Sequence, residues 1–89
     1  HNNMNVLIAD DHAVVRKGLI QLLLEEFSSA AITEAGDSNE VYRKIKDKAW
    51  DIILLDISMP GVSGVEILKQ LRADGIKAPI LMLSMHPEE

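Results

Sequence analysis

The chain predicts an α/β fold in which a parallel sheet carries helices on both faces. Three observations support this. First, short apolar runs recur along the chain, and residues 52–55 and 80–83 contain no polar side chain, the pattern of strands buried on both faces. Second, the stretches between the runs repeat apolar residues at intervals of three and four, the stripe of an amphipathic helix. Third, the order reads β-α-β-α-β-α-β, with each connection long enough for a right-handed crossover.

The elements follow in order. Val6-Leu7-Ile8-Ala9 is a buried strand that ends in Asp10-Asp11. A helix then starts near Ala13 or Val14 and runs to about Phe27, with Val15, Leu19, Leu22, Leu23 and Phe27 as its stripe. Asp11 and His12 precede it, where a carboxylate gains from the free amides and the helix dipole. Ala30 to Ala35 is a weaker strand, and Glu34 within it points to an edge. Asp37 or Ser38 caps a second helix, from about Asn39 to Lys48, with Val41, Ile45 and Ala49 inward. Trp50 follows as a core anchor. The central strand ends at Asp56 and breaks into the Pro60-Gly61 turn. Ser63 or Gly64 opens a third helix to about Ala73, with Val65, Leu68 and Leu71 buried and Ile67 on the flank. Gly75 is a left-handed C-cap. Pro79 starts the last strand, which runs into Ser84.

Composition bounds the function. A chain of 89 residues allows one small domain. At 47% hydrophobic and 26% charged residues, it has the composition of an ordinary globular protein. A net charge of −5 argues against direct nucleic-acid binding by this segment. The absence of cysteine excludes a disulfide framework and thiol chemistry. No apolar run approaches membrane-spanning length and no signal-peptide pattern opens the chain, so a cytoplasmic location is expected. His1-Asn2-Asn3 reads as an expression remnant before a native Met4.

The chemistry lies at the strand ends. In a parallel sheet all carboxyl ends share one edge, where ligands bind in open α/β folds. Asp10-Asp11, Asp56 and Ser84 all fall at that edge. An isolated Asp56 could equally be a turn-forming residue that caps a backbone amide. Three convergent carboxylates repel one another unless a cation sits between them, and a site of two acids and one carbonyl suits magnesium. Metal, carboxylate and a donor hydroxyl suit phosphoryl transfer, with a carboxylate as nucleophile giving an acyl phosphate. His1, His12 and His86 lack metal-ligand spacing, and His12 reads as a solvated loop residue at the rim of the site.

Three segments together resemble the receiver domain of bacterial two-component response regulators: Val6-Leu7-Ile8-Ala9-Asp10-Asp11-His12, Asp56-Ile57-Ser58-Met59-Pro60-Gly61 with Gly64, and Ile80-Leu81-Met82-Leu83-Ser84. The first, continued by Val14-Val15-Arg16-Lys17-Gly18-Leu19, is similar to the NarL/FixJ type, whose receiver precedes a helix-turn-helix DNA-binding domain. The resemblance runs from Met4 to Glu89. It implies a flavodoxin-like, doubly wound sheet with strand order 2-1-3-4. It also implies a phosphoprotein of a phosphorelay, not a classical enzyme, that takes a phosphoryl group from a sensor histidine kinase and so regulates transcription. By position, Asp56 matches the phosphoacceptor, Asp11 the direct Mg2+ ligand and Asp10 the acid holding the metal's waters. Ser58 matches the residue whose backbone carbonyl completes the metal ligands, and Ser84 the switch hydroxyl.

Family members continue after Ser84 with a fourth helix, a fifth strand bearing a phosphoryl-pairing lysine, and a fifth helix. The expectation is therefore of a partial receiver, residues 4–89, that lacks these elements. Lys77, the last lysine, precedes the fourth strand and lies at the wrong end of the sheet to replace the missing one. With Ile80 to Leu83 as a bare apolar edge, a homodimer or exchanged assembly is expected. Two rival readings remain. A haloacid-dehalogenase-like phosphohydrolase usually has a second Asp two residues beyond the nucleophile, where this chain has Ser58. A pseudo-receiver interaction module would not be phosphorylated.

Overall fold

The computed structural model describes residues 4–57, 59 and 61–83. Seven elements alternate: β1 (Asn5–Ala9), α1 (Ala13–Glu26), β2 (Ala31–Ala35), α2 (Ser38–Lys44), β3 (Ile52–Asp56), α3 (Gly64–Ala73) and β4 (Ile80–Leu83). The four strands form one parallel sheet in the order β2-β1-β3-β4, as expected.

The pleat divides the apolar residues between two faces. Leu7, Ala9, Ile53 and Leu55 point to the side covered by α2 and α3, where they meet Val41, Ile45, Trp50, Ile67 and Leu71 in the larger core. Val6, Ile8 and Leu54 point the other way, toward Leu19, Ile20 and Leu23 of α1. The central strands β1 and β3 are buried along almost their whole length, which their lack of polar residues requires. Glu34 of β2 is exposed on an edge strand, as the sequence indicated.

Local chemistry sets the helix ends. The Asp37 carboxylate accepts the Glu40 amide (2.9 Å), and Glu40 Oε1 accepts the Gly36 amide (2.7 Å), a capping box displaced by one residue. Ser63 Oγ accepts the Glu66 amide at the start of α3. At its end, the Gly75 and Ile76 amides donate to the Arg72 and Leu71 carbonyls with Gly75 at φ 91°, the paired bonds of a Schellman cap.

Three stripe assignments need correction. α2 ends at Lys44 instead of Lys48, because the Ile45 carbonyl that would continue it accepts the Trp50 indole N–H (3.0 Å); Ala49 is consequently exposed. In α3 the buried positions are Gly64, Ile67 and Leu71, while Val65 is exposed. Gly64 sets that phase: a Cβ there would lie 2.7 Å from the Asp56 carbonyl oxygen, so the helix turns its smallest residue to the strand. In α1 no residue is fully buried, and Leu22 and Phe27 are exposed where the stripe predicted contact. The apolar face of α1 is broader than its contact with the sheet, which uses Leu19, Ile20 and Leu23.

Candidate metal and phosphoacceptor site

β1 pairs with β3 so that Ala9 lies opposite Leu55. The next residues on the two strands are Asp10 and Asp56, so the register alone carries both carboxylates to one edge. Both residues are fully buried. Asp11 follows on the loop into α1, its side chain 23% exposed, and forms the more open side of the cluster.

Asp10 is held on several sides. Its amide donates to the Ala35 carbonyl (3.0 Å), and its Oδ1 accepts the His12 amide (2.8 Å), a local turn that ends the strand. The amide-capping role that a turn aspartate would play therefore falls to one oxygen of Asp10. Its other oxygen, Oδ2, is buried with no hydrogen-bond partner among the described residues. A buried carboxylate oxygen left in this way is costly unless a cation or water meets it.

His12 joins the site more closely than its sequence context suggested. Its side chain is 60% exposed, yet Nδ1 lies 3.1 Å from Asp11 Oδ1 and 3.4 Å from Asp10 Oδ1. Ligand atoms from Asp10, Asp11, His12 and Asp56 all lie within 4.8 Å of one another. Opposite oxygens around one octahedral magnesium are about 4.2 Å apart, so the acids need only a small adjustment to share an ion. The donors are mainly hard carboxylate oxygens, one of them buried and unpartnered, and they fit a hard divalent cation. The only signal for His12 in the sequence was its adjacency to the acid pair.

α3 reaches the same edge. The Gly64 amide donates to the Ile57 carbonyl (2.7 Å), and the absent side chain lets α3 touch the end of β3 directly behind Asp56. Gly61, at φ 88°, makes the turn after β3 in a conformation that favours glycine. Lys77 sits in the connection before β4, at the opposite end of that strand from Leu83, which pairs with Asp56. Ser58 and Ser84, the two remaining site residues expected from the sequence, lie outside the described residues.

A parallel sheet with an acid cluster at its carboxyl edge places the chain among the α/β domains whose ligand site lies at that edge, and the comparisons specify the family. The response regulator receiver domain family matches residues 6–89, and the chain belongs to it. It is 40% identical over 80 residues to the nitrate/nitrite response regulator protein NarP of Escherichia coli, covering 90% of this chain and 37% of that protein. The response regulator TrrA of Thermotoga maritima, solved in complex with Mg2+ and BeF, superposes with a TM-score of 0.84 at 31% identity, over 93% of this chain and 70% of that one. The RcsB response regulator of Salmonella typhimurium, in a structure concerned with DNA interaction, gives a TM-score of 0.81 at 31% identity, over 97% and 44% of the two chains. The chain thus spans about two fifths of the length of NarP. Its relatives are regulators of the NarL/FixJ type, and it is a signalling domain of that kind. Among the described residues no helix is long and apolar enough to cross a membrane.

Proposed function

We propose that this chain is the phosphoacceptor domain of a transcription-regulating response regulator, with Asp56 as the acceptor. A carboxylate oxygen of Asp56 attacks the phosphorus of a phosphohistidine on a sensor kinase. The P–N bond breaks, the histidine leaves with the bonding electron pair, and an acyl phosphate forms on Asp56. Asp10, Asp11, Asp56 and the Ser58 backbone carbonyl would hold Mg2+, which would supply charge neutralisation when bound. In that arrangement Asp11 would be the direct ligand and Asp10 the acid that holds the metal's waters. Ser84 takes the role of the switch hydroxyl that responds to the modification. The chain assists its own phosphorylation without turning over as an enzyme, acts in the cytoplasm, and switches a helix-turn-helix DNA-binding domain in the parent protein.

The observation that supports this reading best is the pairing of two fully buried aspartates, Asp10 and Asp56, at the ends of adjacent central strands. A buried acid pair in which Asp10 Oδ2 has no hydrogen-bond partner among the described residues is poor design for stability alone and suits a cation and a charged ligand. The Mg2+–BeF complex of TrrA lends the metal assignment further support.

Association through β4 belongs to the same proposal. Among the described residues β4 pairs only with β3, and Leu81 on it is 53% exposed. An apolar edge of this kind favours a homodimer or exchanged assembly.

Incubation with a small-molecule phosphodonor and Mg2+, followed by intact mass, tests the proposal. One labile phosphoryl adduct is expected on the wild type and none on Asp56→Asn. Sustained hydrolysis of the donor would favour a phosphohydrolase, and an unchanged mass would favour a pseudo-receiver.

A further inference from the structure

Arg16 stands outside the roles assigned so far. It lies in the first turn of α1, where its amide makes the first helical bond, to the His12 carbonyl (2.9 Å). Its side chain crosses the carboxyl edge of the sheet. Nη1 donates to the Asp10 carbonyl oxygen (2.5 Å) and Nε donates to Glu34 Oε1 on β2 (2.7 Å). The side chain is only 18% exposed, whereas Glu34 is 44% exposed.

The identity of that acceptor matters. The Asp10 carbonyl belongs to the peptide unit joining Asp10 to Asp11. Holding its oxygen fixes the plane of that peptide, and with it the direction in which the chain presents Asp11. The Asp10 amide and Oδ1 are already engaged by Ala35 and His12, so Arg16 fills the last main-chain position on Asp10 and leaves Oδ2 open. A guanidinium is a rigid planar fork, so anchoring Nε on Glu34 aims Nη1 at the carbonyl. Lysine has one nitrogen on a flexible stem and does not reproduce that aim.

We infer that Arg16 is a positioning residue for the acid cluster: its bond to the Asp10 carbonyl, braced by Glu34, presets Asp10 and Asp11 for a divalent cation. The inference rests on the metal-binding reading above. Simple electrostatics predicts the opposite effect. Arg16 is a cation bonded to one of the cluster's residues, so by charge alone its removal should tighten the binding of another cation. Positioning predicts that removal weakens it, and groups supporting metal ligands typically change affinity by about 10- to 100-fold.

Calorimetric titration of the whole chain with Mg2+ decides between them, using the wild type, Arg16→Gln, Arg16→Lys and Glu34→Ala. Amide hydrogen exchange at Asp11 and His12 is measured in parallel on the metal-free proteins. The inference expects at least about tenfold weaker Mg2+ binding in both Arg16 variants, a smaller loss in Glu34→Ala, and faster exchange at Asp11 and His12 in all three. Equal or tighter binding in Arg16→Gln, with the fold intact by circular dichroism, overturns it. Should Arg16→Gln not fold, Glu34→Ala decides, because it removes the acceptor that braces Nε and keeps the charge on Arg16; wild-type affinity and exchange in that variant overturn the inference. A wild-type chain that takes up no Mg2+ overturns the metal reading itself, an outcome distinct from variants that match a binding wild type.

Discussion

Asp10 shows how a single residue can serve the fold and the site in opposite ways. One oxygen closes a turn with the His12 amide, and the other is buried beside Asp11 and Asp56 with no hydrogen-bond partner among the described residues. Asp10→Asn keeps the turn acceptor and removes a charge from a crowded cluster. We expect it to raise the stability of the metal-free protein by about 1 kcal/mol, the scale of a relieved buried polar mismatch. The same variant should lose most of the stabilisation that Mg2+ confers on the wild type, since a ligand stabilises only the state that binds it. Urea midpoints with and without Mg2+ measure both effects; a metal-free midpoint at or below that of the wild type would contradict the first. The placement of Asp10 and Asp56 at one edge was legible in the sequence because each follows directly on a buried apolar run, and Asp11 is the next residue after Asp10. The approach of His12 was not legible, because it depends on how the loop into α1 folds back over the acid pair. Nor was the role of Arg16, whose acceptor is a main-chain carbonyl that leaves no mark in the sequence.

At the scale of elements, the packing of α3 against β3 sets the surroundings of Asp56. A Cβ on Gly64 would lie 2.7 Å from both the Asp56 carbonyl oxygen and Ile57 Cα, contacts that cannot relax by a side-chain rotation. Gly64→Ala should therefore cost about 1–3 kcal/mol, the range for overpacking, and should slow phosphorylation as the end of β3 shifts. Gly75→Ala is the control. Its Cβ meets nothing within 4 Å, and its cost, about 1 kcal/mol, comes from φ 91° alone, with no effect on phosphorylation. Denaturation midpoints and labelling rates of the two variants test this contrast; equal labelling rates would show that α3 does not set the site. The strands, caps and crossovers could be read from the sequence because they rest on local pattern. The phase of α3 could not. Val65, Leu68 and Leu71 make as good a stripe as Gly64, Ile67 and Leu71 until the sheet contact at Gly64 is known. The end of α2 was hidden for a related reason, since a side chain five residues on takes the Ile45 carbonyl.

Over the whole molecule the two faces of the sheet are unequally covered. Among the described residues the face under α2 and α3 holds eleven buried apolar residues and the face under α1 three, and Leu22, Phe27 and Leu81 are exposed. Exposed apolar surface contributes about 25 cal/mol per Å² when covered, so even a few hundred Å² drives association. We expect the purified chain to show a mass above 9.9 kDa by light scattering at high concentration and to shift toward that mass on dilution. Leu81→Lys, which charges the β4 edge, should favour the monomer. A wild-type monomer at all concentrations would contradict this. The order β2-β1-β3-β4 followed from the family resemblance, whereas the parallel sheet itself followed from apolar runs alternating with helical stripes.

The central claim is that the acid cluster exists to phosphorylate Asp56. Treatment with a phosphodonor and Mg2+, reduction of any acyl phosphate with borohydride, and peptide sequencing by tandem mass spectrometry test it at residue level. Borohydride converts an aspartyl phosphate to homoserine. The account predicts homoserine at position 56 alone, dependent on Mg2+ and absent from Asp11→Asn. Homoserine at position 10 or 11, or labelling of Asp56 unaffected by Mg2+ and by Asp11→Asn, would contradict it.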